Sequence, residues 1–404
     1  MTTLQAPHVV ILGCGYAGGL LAHALDSAAK AGKIRLTVID RRNMLSLKIG
    51  SIRASVYGGK WAERTLIPIA DITKYGKCVV GEVERVDPET KTIHFKDPIA
   101  TPPVVFDLLV CATGTLNHSP GDLSNDLVTK EDIQQYFADI SDAFSKANDV
   151  LVVGGGASAV EYAGEIRAKF PNKKITIVCS SANLLTSSVA PLSAKFLNAV
   201  YKKLSSLDIT LIREEKVVSP SELNFGAKKW EPNVTIKTVG KKNLTIKTDL
   251  LIWASSWVKD ADIFPASWLN EIGELNIANT FQLIDRGDVF AIGDVCSLSE
   301  TKQAVTLPAK MKLIAHNVLL VAQAKRKLGL EAKLDNTLRG LKPYVVNDRA
   351  EMYLPIGPKM GVSQYRGFVF GDAKTSQWKG KDLYTQLFWK LLASAAHCPP
   401  TPSL

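Results

Sequence analysis

The sequence lacks the paired cysteines that would indicate a metal centre or a redox-active disulfide. Its six cysteines are scattered as single residues, and none belongs to a C-x-x-C or C-x4-C pair. They are Cys14, Cys78, Cys111, Cys179, Cys296 and Cys398. Single cysteines are typical of a reducing compartment. We therefore expect a cytoplasmic protein without a bound metal ion.

Long apolar runs are also missing. No stretch of about 18 uninterrupted apolar residues occurs, so we predict no membrane span. The first apolar strand pattern begins at His8, which leaves no room for a signal or transit peptide, and Thr2 excludes N-myristoylation. Hydrophobic residues make up 46% of the chain and charged residues 22%, an ordinary globular composition. The 404 residues are enough for two or three domains.

Acidic residues are the minority charge, since 49 Lys and Arg face 39 Asp and Glu, a net charge of +10. Such an excess serves nucleic acid or an anionic membrane surface, or it attracts acidic small molecules such as dinucleotides. No basic run exceeds two or three residues, which favours the second interpretation. Nothing resembles a groove-reading helix or a stacking aromatic module, so we do not expect nucleic-acid binding.

Glycines, in contrast, are clustered where they carry information. The stretch "HVVIL" is typical of a buried strand, and Gly13, Gly15 and Gly18 follow it in the order G-x-G-x-x-G. The first glycine allows a tight strand-to-helix turn, the second lets the backbone approach a pyrophosphate, and the third lets the helix pack on the strand. The helix N-terminus then favours the anion.

An acidic residue supports this interpretation. The next strand pattern, "IRLTVID", ends in Asp40, 22 positions after Gly18. A carboxylate about 20 residues after the glycines is suited to a ribose hydroxyl. The alternative is a glycine-rich turn followed by an acid through chance. The combination favours a dinucleotide site.

A second glycine cluster repeats the pattern. The strand "VLVV" leads into Gly154, Gly155 and Gly156, and Ala159 takes the third position of the fingerprint, which the motif tolerates. The following strand, "KITIVCSS", has no acid at its end, where Val178, Cys179 and Ser180 stand instead. A small neutral side chain would not repel a 2′-phosphate. We therefore expect both NADH and NADPH to be accepted.

Two fingerprints require two dinucleotides, one held as a prosthetic group and one exchanged as substrate. FAD with NADH or NADPH is the pairing that makes chemical sense, because a flavin accepts a hydride and passes electrons on. Two strand ends support it. The segment "FDLLVCATGT" brings Thr113 and Gly114 to a strand end, and "DVFAIGDV" places Asp294 where a carboxylate can bind a ribityl hydroxyl.

The order fingerprint, A-T-G, fingerprint, G-D resembles the pyridine nucleotide–disulfide oxidoreductase family over about residues 8–330. The resemblance implies an α/β fold with two interleaved Rossmann-like, glutathione-reductase-like dinucleotide-binding domains and a small α+β C-terminal domain. We place the FAD-binding domain at 1–115 plus 285–335, the NAD(P)H-binding domain at 116–284, and the C-terminal domain at 336–404. In the last, "PYVVN" and "GFVFGD" are predicted strands followed by a helix.

The chain departs from this family at two places. Ser255 and Ser256 in "LLIWASSW" replace a second A-T-G, which puts the loop geometry near the nicotinamide in question. The stretch "MLSLKIGSIRASVYGG", residues 44–59, has no cysteine where the disulfide reductases of the family carry their pair. Electrons are therefore expected to leave the flavin directly for an acceptor.

Three segments resemble the apoptosis-inducing-factor-like flavoproteins known as ferroptosis suppressor protein 1. They are "SIRASV" (51–56), "GGGASAVEYAGEI" and "WKGKDLYTQLFWK" (378–390). The resemblance implies an NAD(P)H:quinone oxidoreductase that acts on ubiquinone-like acceptors. It places Lys379 near the flavin and assigns a functional role to Glu161, which we expect two turns into its helix, facing the flavin–nicotinamide contact.

Each of these residues also has a structural interpretation. Glu161 is alternatively an acidic residue stabilised by the dipole near a helix N-terminus. Lys379 is alternatively a solvated surface lysine. Arg53 is either a phosphate or carboxylate partner in the cofactor site or a structural loop residue.

From Asp382 onward, large apolar residues recur on one helix face, with aromatic and basic residues beside them. Residues 376–396 are therefore predicted to form an amphipathic helix that admits a lipid quinone or contacts a membrane surface, on the mitochondrial outer membrane or lipid droplets. The alternative is a helix packed on its own domain.

The sequence as a whole predicts a quinone reductase. Two alternatives stay open: a reductase for another acceptor, of the ferredoxin or ascorbyl-radical type, and a flavoprotein that acts by binding nucleic acid. The oligomeric state also stays open, with a homodimer as one alternative.

Overall fold

The computed structural model describes residues 5–117, 119–186, 190–218, 230–254, 257–259, 261–393 and 395–402. Strands and helices alternate along most of this chain. The helices are α1 (Tyr16–Lys30), α2 (Lys48–Tyr57), α3 (Gly59–Arg64), α4 (Lys130–Lys146), α5 (Ala157–Lys169), α6 (Ala194–Ser206), α7 (Leu307–Leu328), α8 (Asp372–Thr375) and α9 (Thr385–Leu392).

The strands are short and most of them alternate with those helices. They are β1 (His8–Leu12), β2 (Arg35–Asp40), β3 (Met44–Ser46), β4 (Leu66–Pro68), β5 (Lys77–Val80), β6 (Val83–Asp87), β7 (Thr92–Phe95), β8 (Val104–Val105), β9 (Leu108–Cys111), β10 (Thr115–Asn117), β11 (Asp149–Val153), β12 (Lys174–Val178), β13 (Ile209–Ile212), β14 (Glu215–Val218), β15 (Trp230–Gly240), β16 (Thr245–Trp253), β17 (Trp257–Lys259), β18 (Gln282–Leu283), β19 (Arg286–Ala291), β20 (Met352–Pro355), β21 (Gly361–Tyr365) and β22 (Phe368–Phe370).

The first large sheet has the strand order β18-β19-β9-β1-β2-β5. All its strands except β18 run parallel, and Leu12 at the end of β1 pairs with Ile39 on one side and Cys111 on the other. Parallel strands covered on both faces need continuous apolar runs, which explains why "HVVIL" is buried along four of its five residues. This sheet brings the ends of β1, β2, β9 and β19 to one edge.

The second large sheet has the order β13-β12-β11-β16-β15-β14. Its first four strands are parallel, and β15 and β14 continue it as antiparallel strands. The α/β fold class predicted from the sequence is confirmed. Strands on both sides of the second sheet in the chain build the first sheet, with β18 just before the boundary predicted at 285. A small antiparallel pair is formed by β10 and β17. The first of these strands follows β9 of the first sheet and the second follows β16 of the second sheet.

Helix α7 belongs to the core of the first unit. Together with the turn before it, this helix forms the segment Ala304–Leu328. Among the described residues it is the one helical segment whose length and apolar composition would allow it to cross a membrane. Ile314, Val318 and Val321 on this helix are fully buried in the same apolar cluster as α1 and the first sheet. The core helix of a globular domain can be as long and as apolar as a membrane span. The buried side chains of α7 are packed as in a core helix.

Two predictions for the C-terminal region are wrong in detail. Residues 343–347 form no strand, because Pro343 has no N–H to donate and Val345 is 84% exposed with no strand beside it. The small sheet is β20-β21-β22, of which only β22 was expected. Helix α9 begins at Thr385 rather than Asp382, since Leu383 and Tyr384 both adopt left-handed backbone conformations.

The apolar face of α9 packs on the protein itself. Phe388 and Leu392 are fully buried in the cluster that contains α1, and the ring of Phe388 lies 4.4 Å from that of Tyr16. Leu387 is the exposed large apolar side chain of this helix. The packing agrees with the alternative in which the helix lies on its own domain.

Candidate functional site

The first glycine turn has the geometry that its sequence predicts. Gly13 has φ +98°, and a Cβ there would lie 2.5 Å from the carbonyl oxygen of Ala112. A Cβ on Gly18 would overlap the carbonyl oxygen of Gly13, so helix α1 lies directly against the turn. A Cβ on Gly15 would meet no atom within 4 Å. The turn is therefore closed on its inner side and open at Gly15, the position where a pyrophosphate approaches.

Asp40 stands beside this turn, at the end of β2. Its Oδ2 accepts a hydrogen bond of 2.7 Å from the backbone N–H of Cys14, and its Oδ1 accepts one of 3.0 Å from that of Arg42. The carboxylate thus fixes the turn while it lines the cleft with Gly15. Tyr16, directly after Gly15, was not predicted as a residue of the site. It lines the adjoining cavity, and its hydroxyl accepts a hydrogen bond from the N–H of Ile49.

The two strand ends predicted to join the first glycine turn do so. Thr113, Gly114 and Asp294 line one cavity together with Gly15. Gly114 has φ +78°, and no atom lies within 4 Å of where its Cβ would be, so the backbone there borders open space. Asp40 lines one cavity and Asp294 the next, and the two cavities adjoin because Gly15 and Thr113 line both, which is the extended arrangement that a dinucleotide needs. Gly15, Thr113, Gly114 and Asp294 are the residues that would hold FAD.

The second glycine turn repeats the arrangement in the second sheet. Gly154 has φ +146°, and Gly156 borders open space at the start of α5. A Cβ on Gly155 would lie 3.1 Å from the Cβ of Cys179, which packs under the turn. Ser180 beyond it is exposed, and no carboxylate stands at the end of β12. The turn thus has the same open approach at the second glycine of its fingerprint as the first one, and Cys179 and Ser180 stand where β12 ends.

Glu161 and Lys379 meet where the two clefts join. Lys379 Nζ donates a hydrogen bond of 2.7 Å to Glu161 Oε1 and one of 3.3 Å to the carbonyl oxygen of Tyr353. Glu161 is the fifth residue of α5, so it lies one turn into the helix rather than the predicted two. The pair lines a cavity of about 310 Å³ that also contains Gly156 and Asp294. Residues from both clefts therefore share this cavity.

Burial sets the electrostatics of the pair. The side chain of Glu161 is 4% exposed and that of Lys379 is 12% exposed. Desolvation raises the pKa of the Glu161 carboxyl above its ordinary value, and the Lys379 ammonium opposes that shift. Burial likewise raises the pKa of Tyr384, whose ring lies 6.0 Å from Lys379 Nζ. Lys379 is thus a largely covered, paired ammonium and not a solvated surface lysine.

The remaining walls of the cavity are mostly apolar. Ile49 and Ile52 of α2, Met352 of β20 and the rings of Tyr16 and Tyr384 line it. Residues 44–59, where the disulfide reductases that this sequence resembles carry their cysteine pair, contribute Ile49 and Ile52 to the cavity instead. All six cysteines of the chain are free. No metal-binding group of His, Cys, Asp or Glu occurs within the described ranges. Ser255 and Ser256, noted in the sequence, lie outside them.

Arg53 does not reach the cofactor cleft. Its guanidinium is fully buried and bonded to both carboxylate oxygens of Glu165 at 2.7 and 2.8 Å. Its other N–H groups donate to the carbonyl oxygens of Gly380 and Lys381. These contacts do not favour the predicted cofactor-binding role, because a fully buried guanidinium committed to a carboxylate and two carbonyls is poorly placed to bind a phosphate. The structural alternative is the one that the contacts support.

Lys48 lines the cavities but was not predicted as a site residue. Its Nζ lies 2.8 Å from Asp122 Oδ1 and donates to the carbonyl oxygen of Thr115 at 2.7 Å. It lines the cavities on both sides of Gly15 and the shared cavity with Glu161. No spacing rule marks such a lysine, because it is placed by the start of α2 and not by a motif.

Comparison with known proteins identifies this arrangement. Residues 7–317 match the sequence model of the family described as pyridine nucleotide-disulphide oxidoreductase. Apoptosis-inducing factor homolog A of Dictyostelium discoideum is 29% identical over 95% of this chain and 91% of its own length. Ferroptosis suppressor protein 1 of Xenopus tropicalis is 25% identical over 96% of both chains.

A solved structure extends the comparison to the fold. The sulfide:quinone oxidoreductase of the hyperthermophilic bacterium Aquifex aeolicus superposes with a TM-score of 0.69 over 98% of this chain and 93% of its own, at 15% sequence identity. The likeness therefore includes the C-terminal unit that carries Lys379.

Proposed function

The chain belongs to the pyridine nucleotide-disulphide oxidoreductase family, and from this premise we propose that it transfers electrons from NADH or NADPH to a quinone. As a member of the family it is a flavoprotein oxidoreductase with FAD as its prosthetic group and a nicotinamide dinucleotide as its reductant. The proposal concerns the acceptor, a ubiquinone-like molecule that receives the electrons without a protein disulfide in between.

The observation that carries the proposal is the buried Glu161–Lys379 pair in an apolar cavity shared by the two clefts. Bound FAD supplies the redox chemistry, because it takes a hydride from the nicotinamide and gives electrons to the acceptor. A quinone gains negative charge as it is reduced. An ammonium already in place, with little water around it, stabilises that charge more strongly than solvent does.

The surrounding residues have complementary roles. Glu161 accepts one hydrogen bond of 2.7 Å from the Lys379 ammonium and the carbonyl oxygen of Tyr353 accepts another of 3.3 Å, which leaves the third N–H to donate to an acceptor. Ile49, Ile52 and Met352 exclude water and provide apolar surface for a quinone ring. Since α2 contributes no cysteine, an acceptor in this cavity would receive electrons without a protein disulfide in between. The name of one protein of similar fold, a sulfide:quinone oxidoreductase, supports the same class of acceptor.

The experiment that tests the acceptor is a steady-state panel on the purified flavoprotein. NADH oxidation is measured with a soluble short-chain quinone, a long-chain quinone in detergent, ferredoxin and the ascorbyl radical. We expect turnover with the quinones. Turnover with ferredoxin or the ascorbyl radical alone would assign the protein to the other class of reductase, and salt-sensitive binding of DNA without quinone turnover would favour the nucleic-acid alternative.

Lys379→Ala links the panel to the structure. Loss of one stabilising contact to a developing anion costs roughly 100- to 1000-fold in turnover. The FAD content should stay unchanged, because Lys379 lies outside the cleft around Gly15. Lys381→Ala is the matched control, since the side chain of Lys381 is exposed and its buried contact is made by the backbone. Equal quinone turnover in Lys379→Ala and the wild type would refute the role of the ammonium.

We propose a cytoplasmic location, supported by six free cysteines. A peripheral position on the mitochondrial outer membrane or lipid droplets is the alternative. Contact with a lipid surface through residues 376–396 would have to use Leu387 and its exposed neighbours, since the rest of the apolar face of α9 is packed. A homodimer likewise remains a proposal, which sedimentation of the holoprotein tests.

A further inference from the structure

Arg53 joins three parts of the chain that are far apart in sequence. Its Nε and Nη2 atoms donate to Glu165 of α5, 112 residues away. Its Nη1 and Nη2 atoms donate to the carbonyl oxygens of Lys381 at 2.9 Å and Gly380 at 2.7 Å, more than 300 residues away. The guanidinium also lies 4.8 Å from the centre of the Trp61 ring. One side chain of α2 thus holds both α5 and the C-terminal segment.

The same two elements carry the ion pair in the cavity. Glu161 and Glu165 are four residues apart on α5, so they lie one turn apart on the same side of the helix. Lys379 directly precedes Gly380 in a π-helical turn at Ser376–Gly380. Arg53 therefore fixes the helix and the segment next to the points from which Glu161 and Lys379 reach each other.

The backbone around the anchor leaves little freedom. A Cβ on Gly380 would lie 2.9 Å from the carbonyl oxygen of Pro358, so the segment lies against the turn after β20. The π-turn closes with a hydrogen bond of 2.9 Å from the N–H of Lys381 to the carbonyl oxygen of Ser376. The carbonyls at its end have no helical partner beyond them, and the guanidinium supplies the donors. Arg53 thus restrains the end of this turn from the side of α2.

Stability alone is a poor explanation for this ion pair. The side chains of Arg53 and Glu165 are 0% and 1% exposed, and well-packed apolar residues often replace such a pair without loss of stability. A guanidinium fork, in contrast, specifies the geometry of a carboxylate and neighbouring acceptors at the same time. The contacts are those of a device that sets relative position.

We propose that Arg53 and Glu165 are positioning residues that hold the Lys379 ammonium against Glu161 in the cavity where the acceptor is reduced. This inference rests on the proposed function for the identity of the acceptor, but the placement of Lys379 is a property of the protein alone. The two parts are separable by experiment.

The first test is a double-mutant cycle. The paired change Arg53→Met with Glu165→Leu removes both charges together, so that no unpaired charge is left buried, and it is made in the wild type and in Lys379→Ala. A misplacement of about 1 Å costs roughly 100-fold in rate, so the paired change should lower quinone turnover by about that factor in the wild type. In Lys379→Ala the same change should have little further effect. Equal losses in both backgrounds would overturn the proposal.

The second test needs neither FAD nor an acceptor. Reductive methylation of Lys379 is followed by mass spectrometry in the FAD-free protein, with the exposed Lys390 as an internal reference. In the paired variant, Lys379 should lose its contact with Glu161 and should be methylated on the order of ten times faster than in the wild type. This is the change expected for the loss of a buried charged contact. An unchanged rate in the paired variant would refute the positioning role. A wild type that reduces no quinone would refute the proposed function and leave this result valid.

Discussion

At the residue scale, Glu161 gives the site its dependence on pH. Burial raises the pKa of this carboxyl above its ordinary value of 4.5, so it takes up a proton at a higher pH than a solvated glutamate does. Protonation removes the negative charge that holds Lys379. Quinone turnover should therefore be full above the raised pKa and should fall as the pH is lowered through it.

The measurement is kcat/KM against pH for the wild type and Glu161→Gln. The wild type should have an acidic limb above pH 4.5, and the variant should be slower and lack this limb, because its amide does not titrate in the range. If the acidic limb persists in Glu161→Gln, another group produces it. The FAD spectrum at each pH is the control for loss of the flavin.

Gly15 and Gly18 form a matched pair of glycines with different tasks. A side chain at Gly15 enters open space, whereas one at Gly18 meets the carbonyl of Gly13 inside the turn. Gly15→Val should therefore leave a folded protein that does not retain FAD. Gly18→Val should lower the free energy of unfolding by about 1–3 kcal/mol or more, the usual cost of overpacking. Absorbance at the flavin band and thermal melting of the FAD-free proteins distinguish the two. Normal FAD content in Gly15→Val would contradict the assignment of this cleft.

At the scale of elements, α9 is stabilised on one side only. The side chain of Phe388 is fully buried against α1, while Leu387, the residue before it, is 37% exposed. Phe388→Ala should lower the free energy of unfolding by about 3–5 kcal/mol, and Leu387→Ala should change it by no more than about 0.5 kcal/mol. Denaturant unfolding of the two variants checks this difference. A selective loss of activity with long-chain quinones in the folded Leu387→Glu variant would instead support a lipid role for this helix.

The elements that a local pattern defines were predicted, and those defined by distant contacts were not. The glycine turns could be located because each glycine meets a local steric demand, and β1, β2, β11 and β12 follow from their apolar runs. The pairing of Glu161 with Lys379 needs residues 218 positions apart, and only a resemblance had associated them with one function. The contacts of Arg53 could not be predicted, because neither Glu165 nor the carbonyls at 380 and 381 can be recognised as its partners from spacing.

At the scale of the whole molecule, one cleft is assembled from two parts of the chain. Gly15 and Thr113 precede the second sheet in sequence and Asp294 follows it, yet all three line the same cavity. A bound dinucleotide thus joins these parts and should stabilise the folded state against unfolding. Free FAD at 100 to 1000 times its dissociation constant contributes roughly 3–4 kcal/mol.

The melting temperature of FAD-free protein should accordingly rise with added FAD. Gly15→Val is the control, and its melting temperature should not depend on FAD. A wild-type melting temperature that is independent of FAD would show that the cofactor does not hold the two parts together.

The anchor at Arg53 also has a consequence for protein synthesis. A ribosome makes both glycine turns, and the helix that carries Glu161, long before it reaches Lys379, and domains generally begin to fold as they emerge. The nascent chain can therefore form its nucleotide clefts while Arg53 and Glu165 still wait for the carbonyls of Gly380 and Lys381. A chain that stops before residue 379 would lack the ammonium and also Phe388 and Leu392, so a premature stop there would remove part of the core that packs on α1 as well as the group that meets Glu161.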